Sequence, residues 1–197
     1  HHGQVFPGIF EGPETQGRQS LMPGGRFKRL DWAPGKEGRC FDISRRPHVT
    51  GTDDLCQIFH LLDRKFAWHA ALFPGSANRL WVSIKAAKTL PSTVIWMSEG
   101  GRDYAPWNGR HTGVLALEDT CSHFHYGLAE SIRATRPDRP TCADLNKGPV
   151  VTKSGMTCIE VGFDFTQILD VEVMEGCIEV KTDTGSLLTR FNTGFLE

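Results

Sequence analysis

The sequence predicts an all-β protein, built as an antiparallel β-sandwich with few short helices. Three observations support this fold class. Apolar and polar side chains alternate between Cys158 and Asp164, short apolar runs recur earlier in the chain, and turn residues separate the apolar runs near the C-terminus. Short strands at this spacing favour a sandwich over alternating βαβ units.

The first group of predicted strands lies in the first half of the chain. It comprises four apolar or aromatic runs at residues 55–62, 66–73, 80–84 and 93–97. Charged, Pro and Gly residues separate the runs, and such residues interrupt regular structure. We expect the four runs to form an antiparallel sheet, and we expect Asp53 and Asp54, just before the first run, to form a turn.

The clearest strand follows residue 158, with four apolar side chains on one face of the alternation: Ile159, Val161, Phe163 and Phe165. Three further apolar segments at 171–173, 178–180 and 187–191 are separated by Glu175-Gly176 and by residues 182–185. Because these separators have turn chemistry, the C-terminus predicts a three-stranded meander. The one predicted helix spans 126–134, where Leu128 and Ile132 share a face.

The composition limits the class of protein. The 197 residues fit one domain spanning 1–197. Apolar residues make up 39% of the chain before Gly is counted, which is enough for a globular core. Lys and Arg number 22 against 23 Asp and Glu, so a formal net charge of -1 creates no field to attract nucleic acid or an anionic membrane.

The sequence also bears on the compartment. No run of 18 apolar residues and no signal-peptide pattern occurs in the sequence. Six scattered cysteines without a Cys-x-x-Cys pair predict free thiols in a reducing compartment. We therefore expect a cytoplasmic protein.

The most unusual stretch is residues 96–111, WMSEGGRDYAPWNGRH, which surrounds Gly and Pro with aromatic, Arg, Asn and His side chains. An aromatic ring can cover the apolar side of a sugar, while guanidinium and amide groups bind its hydroxyls. The candidate substrate-binding residues are Arg102, Trp107, Asn108 and Arg110. A long structural loop held by its two Trp residues would have the same composition.

An acidic pair, Glu118 and Asp119, ends the apolar run that starts at Gly113. We expect at least one of these carboxylates near the buried end of a strand, where burial would raise its pKa and make it a usable general base. A strand that simply reaches solvent at Glu118 would have the same sequence.

Residues 96–119, WMSEGGRDYAPWNGRHTGVLALED, resemble the C-terminal half of the galactose mutarotase-like (aldose 1-epimerase) superfamily. The segment GVLALE resembles the family segment that ends in the catalytic glutamate. Lys153-Ser154-Gly155 is similar to the family's turn before its last strands. The resemblance implies a supersandwich fold, sugar anomer interconversion without cofactor or metal, and Glu118 as the general base.

The resemblance also implies a histidine general acid, in a motif where Phe follows His after two or three residues. His2-Gly3-Gln4-Val5-Phe6 is a loose match that departs from the family in spacing, so His2 is the candidate acid, with His1 beside it as a candidate for substrate binding. Family domains usually carry further strands before this point, so we expect an N-terminally short member. His1 and His2 are either native or the end of an expression tag.

In the implied reaction, a base takes the proton of the anomeric hydroxyl and an acid protonates the ring oxygen, so the ring opens and re-closes as the other anomer. The expected partner is a small-molecule sugar or sugar derivative, with no nucleic acid and no membrane, and a homo-oligomer is left open. Two alternatives are a non-catalytic carbohydrate-binding module and a structural or partner subunit. No metal is expected, because the pair His123 and His125 lacks a third ligand in the sequence.

Overall fold

The computed structural model confirms the all-β, antiparallel fold class. It describes residues 2–5, 21–22, 25–45, 49–73, 78–124, 126–137, 139–144, 146 and 154–196. Its strands are β1 (His2–Val5), β2 (Gly25–Phe27), β3 (Ala33–Pro34), β4 (Cys40–Phe41), β5 (Asp53–Phe59), β6 (Phe66–Phe73), β7 (Asn78–Ala86), β8 (Ser92–Ser98), β9 (Val114–Thr120), β10 (Ser154–Val161), β11 (Ile168–Met174), β12 (Cys177–Thr182) and β13 (Ser186–Arg190). Helix α1 spans Leu128–Ala134, and short 3₁₀ turns span Leu30–Trp32, Lys36–Gly38 and Gly194–Leu196.

The chain divides into two compact units, each assembled from two separate stretches. Unit 1 comprises His1–Leu61 and Pro91–Asp144, and unit 2 comprises Leu62–Leu90 and Leu145–Glu197. The prediction of a single mutarotase-like domain over residues 1–197 stays a prediction.

Unit 1 contains an antiparallel sheet in the order β2-β1-β5-β8-β9. One face of this sheet, which we name the core face, contributes to an apolar cluster. The buried residues of the cluster are Met22, Phe27, Ala33, Ile43, Cys56, Ile58, Ile95 and Met97. Because side chains alternate along a strand, the residues between these project from the opposite face. We name it the loop face, and it carries Asp53, Gln57, Trp96 and Glu118.

Unit 2 is a small β-sandwich. Its two three-stranded sheets, β10-β7-β6 and β11-β12-β13, contribute to one apolar core. That core consists of Leu80, Val82, Ile84, Val161, Val171, Ile178, Val180 and Phe191. The sandwich and the predicted C-terminal meander are therefore both confirmed, whereas the supersandwich arrangement stays a prediction.

Two details of the strand prediction are wrong. The four early runs do not form one sheet, because β5 pairs with β8 in unit 1 while β6 pairs with β7 in unit 2. The late strand runs from Ser154 to Val161, so Ser154 and Gly155 begin the strand rather than forming a turn. Phe163 and Phe165 lie beyond its end, where they still pack against the unit 2 core.

Helix α1 is two residues shorter than predicted, and its apolar face is exposed. Leu128 is 71% exposed and Ile132 is 58% exposed, whereas the polar Ser131 is buried. The Ser131 hydroxyl accepts a hydrogen bond from the His123 N–H at 3.1 Å, and its carbonyl accepts one from the Thr141 hydroxyl at 2.6 Å. Polar contacts thus hold the helix. No helix within the described ranges is long and apolar enough to cross a membrane.

Candidate functional site

Asp53 and Asp54 are the first residues of β5 and both are buried, so the prediction of a turn there is wrong. Asp53 lies on the loop face, where its two carboxylate oxygens accept the indole N–H of Trp96 at 3.0 and 3.1 Å. Its Oδ1 is also 3.2 Å from Nε of Arg102. On the core face, Asp54 accepts the backbone N–H of Met22 at 3.0 Å.

Aromatic rings surround the Asp53 to Arg102 ion pair. The guanidinium carbon of Arg102 lies 5.2 Å from the Trp96 ring centroid and 5.3 Å from that of Trp107. The His111 ring is 4.7 Å from Trp107 and 5.6 Å from Trp96. Cation–π attraction adds to the ion pair, and only 13% of the Arg102 side chain remains exposed. We name Asp53, Trp96, Arg102, Trp107 and His111 the Asp53 cluster.

The loop at residues 99–113, which supplies most of this cluster, is closed by backbone hydrogen bonds. Gly100 N–H donates to the His111 carbonyl at 2.7 Å, and Gly109 N–H donates to the Arg102 carbonyl at 2.8 Å. A Cβ on Gly101 would lie 2.3 Å from the carbonyl carbon of Thr52, so the loop needs glycine there. Trp96 and Arg102 support the loop from inside.

Three neighbouring residues of the same loop are wholly or partly exposed. Trp107 is half-buried, while Asn108 and Arg110 are exposed. Arg110 donates from Nη2 to the Pro106 carbonyl at 2.8 Å and from Nε to the Trp107 carbonyl at 3.3 Å, which fixes the plane of its guanidinium. We name Trp107, Asn108 and Arg110 the rim. The structure brings these three predicted site residues together, whereas Arg102 points inward.

Glu118 is exposed on β9, opposite Val94 of β8. Because Ala116 is the direct partner of Trp96, Glu118 is the diagonal neighbour of Trp96 on the loop face, and diagonal neighbours are roughly 7–8 Å apart. Asp119, on the opposite face of β9, is half-buried and accepts the hydroxyl of the buried Thr93 at 3.0 Å. That hydroxyl is also 2.9 Å from Nε2 of buried His60.

The candidate acid, His2, and the candidate base, Glu118, lie on strands that are far apart in the sheet. The backbone of His2 is aligned with Phe59, so β5 and β8 separate it from the strand of Glu118. Three strand spacings place the two backbones about 14 Å apart across the sheet. His1 lies outside the described residues. This placement tests neither the catalytic role of His2 nor that of Glu118, and both roles stay predictions.

A second group of polar contacts lies at the other end of the loop face. The amide of buried Gln57 donates to the Ser92 hydroxyl at 2.7 Å and to the Ser122 carbonyl at 2.8 Å, and accepts the Phe124 N–H at 3.0 Å. The guanidinium of Arg139 lies 4.9 Å from the Phe59 ring centroid. These contacts anchor the segment that contains α1.

Sequence reasoning missed Asp53, His111 and Gln57. A glutamine inside an otherwise apolar run was the one available signal for Gln57, since a buried amide needs several partners. Asp53 gave no such signal, because its partners lie more than 40 residues away in the sequence.

Among the described residues, no three His, Cys, Asp or Glu side chains come close enough to hold a metal ion. No protein-family model, curated protein or solved structure matches this chain.

Proposed function

We propose that the chain binds a carbohydrate at the rim. The observation that carries this proposal is the support under Trp107, whose ring contacts Trp96, Arg102 and His111. An aromatic ring fixed in this way offers a flat apolar surface without losing conformational freedom on binding.

The polar side chains beside that ring suit the hydroxyl groups of a sugar. The exposed amide of Asn108 can donate and accept, and the exposed guanidinium of Arg110 donates. Because two loop carbonyls already hold Arg110, its remaining N–H groups keep one orientation. Ordered donors around an apolar surface are typical of small-ligand sites.

We further propose that Glu118 acts as the general base of anomer interconversion, as the resemblance to aldose 1-epimerases implies. Its exposed carboxylate shares the loop face with Trp96 and can reach a ligand from solvent. Glu118 would take the proton of the anomeric hydroxyl. The backbone of His2 lies three strand spacings from that of Glu118, so we assign no acid to the ring oxygen.

The binding proposal can be tested by ligand-detected NMR with a panel of free aldoses. Trp107→Ala should weaken binding at least tenfold, whereas Trp32→Ala should not, because Trp32 is an exposed tryptophan (67%) outside the rim. Asn108→Gly removes the amide but keeps the backbone, since the φ of 48° at Asn108 suits glycine. Unchanged binding in Trp107→Ala, or no binding of any aldose by the wild type, would contradict the proposal.

The catalytic proposal has a separate test. Exchange NMR measures how fast the two anomers of a bound aldose interconvert, with Glu118→Gln as the isosteric variant. We expect acceleration by the wild type and a loss of 10²-fold or more in Glu118→Gln, the usual order for a general base. If the wild type binds an aldose without acceleration, the general-base role is wrong and the binding proposal stands.

A further inference from the structure

Two half-buried cysteines of unit 1 lie on chain segments that contact each other. Cys121 directly follows β9, and Cys142 directly follows Thr141. Ser131 joins their two segments, because it accepts hydrogen bonds from the His123 N–H at 3.1 Å and from the Thr141 hydroxyl at 2.6 Å. Ser131 thus connects His123, two residues after Cys121, with Thr141, one residue before Cys142.

The Cys142 side chain points into this contact region. Its Sγ lies 3.3 Å from the Thr135 hydroxyl, and that hydroxyl also lies 3.1 Å from the Thr141 hydroxyl. Burial raises the pKa of the Cys121 thiol, and the neighbouring Cys142 raises it further. The second effect requires the two sulfur atoms to be within electrostatic range of each other.

We propose that Cys121 and Cys142 form a reversible disulfide when the protein meets a low-molecular-weight disulfide such as oxidised glutathione. One cysteine thiolate attacks the small disulfide, which forms a mixed disulfide and releases one glutathione thiolate. The second cysteine thiolate then attacks the protein sulfur of the mixed disulfide and releases the other glutathione. The protein loses two electrons and two protons, and the small disulfide is reduced to two thiols.

The disulfide would close a loop that contains α1. The same loop is already anchored to the sheet through Phe124, whose N–H donates to Gln57 at 3.0 Å. Cross-linking restricts the unfolded chain, so the oxidised protein should have a Tm higher by roughly 5–10 °C. This inference does not depend on the proposed carbohydrate site.

The other four cysteines can be kept from interfering with a test of this disulfide. Cys40 and Cys158 are exposed and would react with glutathione on their own, so Cys40→Ser and Cys158→Ser are combined in the tested protein. Cys56 is fully buried, so glutathione cannot reach its thiol. Cys177 lies in unit 2, apart from this pair in the sequence.

Trypsin separates the two cysteines into different peptides. Residues 111–133 contain only Cys121, and residues 134–147 contain only Cys142, because the Arg136-Pro137 and Arg139-Pro140 bonds resist cleavage. The background protein is incubated with oxidised glutathione, its free thiols are alkylated, and the non-reduced digest is analysed by mass spectrometry. We expect the two peptides joined, and separated again by dithiothreitol.

Cys142→Ser in the same background is the matched control. It removes the thiol that resolves the mixed disulfide, so we expect no joined peptides and an accumulated glutathione adduct at Cys121. Recovery of residues 111–133 and 134–147 as separate alkylated or glutathione-bound peptides from the background protein would overturn the proposal. So would an equal Tm before and after oxidation.

Discussion

Glu118 and Asp119 are adjacent in the chain but lie on opposite faces of the five-stranded sheet. Asp119 accepts the Thr93 hydroxyl beside buried His60, whereas Glu118 is exposed as a neighbour of Trp96. Because side chains alternate along a strand, the Asp119 carboxylate contacts buried Thr93, whereas the Glu118 carboxylate stays accessible to a ligand.

Thr93→Val tests the buried contact, since valine keeps the shape of threonine but cannot hydrogen-bond to His60 or Asp119. We expect a loss of about 1–3 kcal/mol in the free energy of unfolding, measured in urea, because buried polar groups lose a partner. Thr50→Val at an exposed position is the control. Equal stability of the two variants would mean that the contact contributes nothing.

Asp53→Asn tests the Asp53 cluster. The variant removes the counter-charge of Arg102, whose side chain is largely buried between two tryptophan rings. Breaking such a pair costs about 3–5 kcal/mol, so the unfolding midpoint in urea should fall sharply. Asp31→Asn removes the exposed partner of Arg29 and should leave the midpoint unchanged. A similar small effect in both variants would contradict a buried, structural ion pair.

Gly101→Ala tests the close approach of the 99–113 loop to Thr52. The added Cβ would lie 2.3 Å from the Thr52 carbonyl carbon and 2.4 Å from the Asp53 nitrogen, so backbone must move. We expect destabilisation of at least 1–3 kcal/mol, roughly the range for overpacked sites, in thermal or urea unfolding. Gly162→Ala is the matched control, because its Cβ would meet no atom within 4 Å. A neutral Gly101→Ala would show that the approach is looser than described.

The His123 imidazole should titrate below the usual histidine range. Burial lowers its pKa, the charge of Arg139 lowers it further, and Glu130 opposes both. Since the unfolded chain then binds the proton more readily, His123 favours the folded state above the unfolded pKa of about 6.5 and loses that contribution as the pH falls below it.

Proton NMR of the imidazole measures this pKa directly. Arg139→Gln should raise the pKa of His123, and Glu130→Gln should lower it, because the two charges act in opposite directions. A shift of the same sign in both variants would rule out this electrostatic account.

Local patterns predicted most of the strands correctly. The bounds of β6 match the predicted run, and the turn residues between β11, β12 and β13 act over neighbouring positions only. Strand pairing was not predictable in this way, because β5 skips the adjacent β6 and β7 to reach β8. Pairing over such a distance depends on which apolar faces fit together, and the alternation pattern does not encode that.

The candidate site was likewise predictable from the sequence only in part. The loop at residues 99–113 stands out by its composition, and three of its predicted site residues, Trp107, Asn108 and Arg110, lie together at the rim. The inward direction of Arg102 was not predictable, because it follows from buried Asp53, 49 positions earlier in the chain. A carboxylate in a sequence is ordinarily expected at the surface, so its role here requires the fold.

The interleaved order of the two units has a consequence for protein synthesis. When residue 90 has left the ribosome, β5 still lacks β8, and the β6–β7 hairpin still lacks the strands that cover its apolar face. Open strand edges and uncovered apolar faces invite pairing with other nascent chains and binding by chaperones. Neither unit can be expressed as one uninterrupted fragment, so a split version would need a circular permutation or a linker in place of residues 62–90.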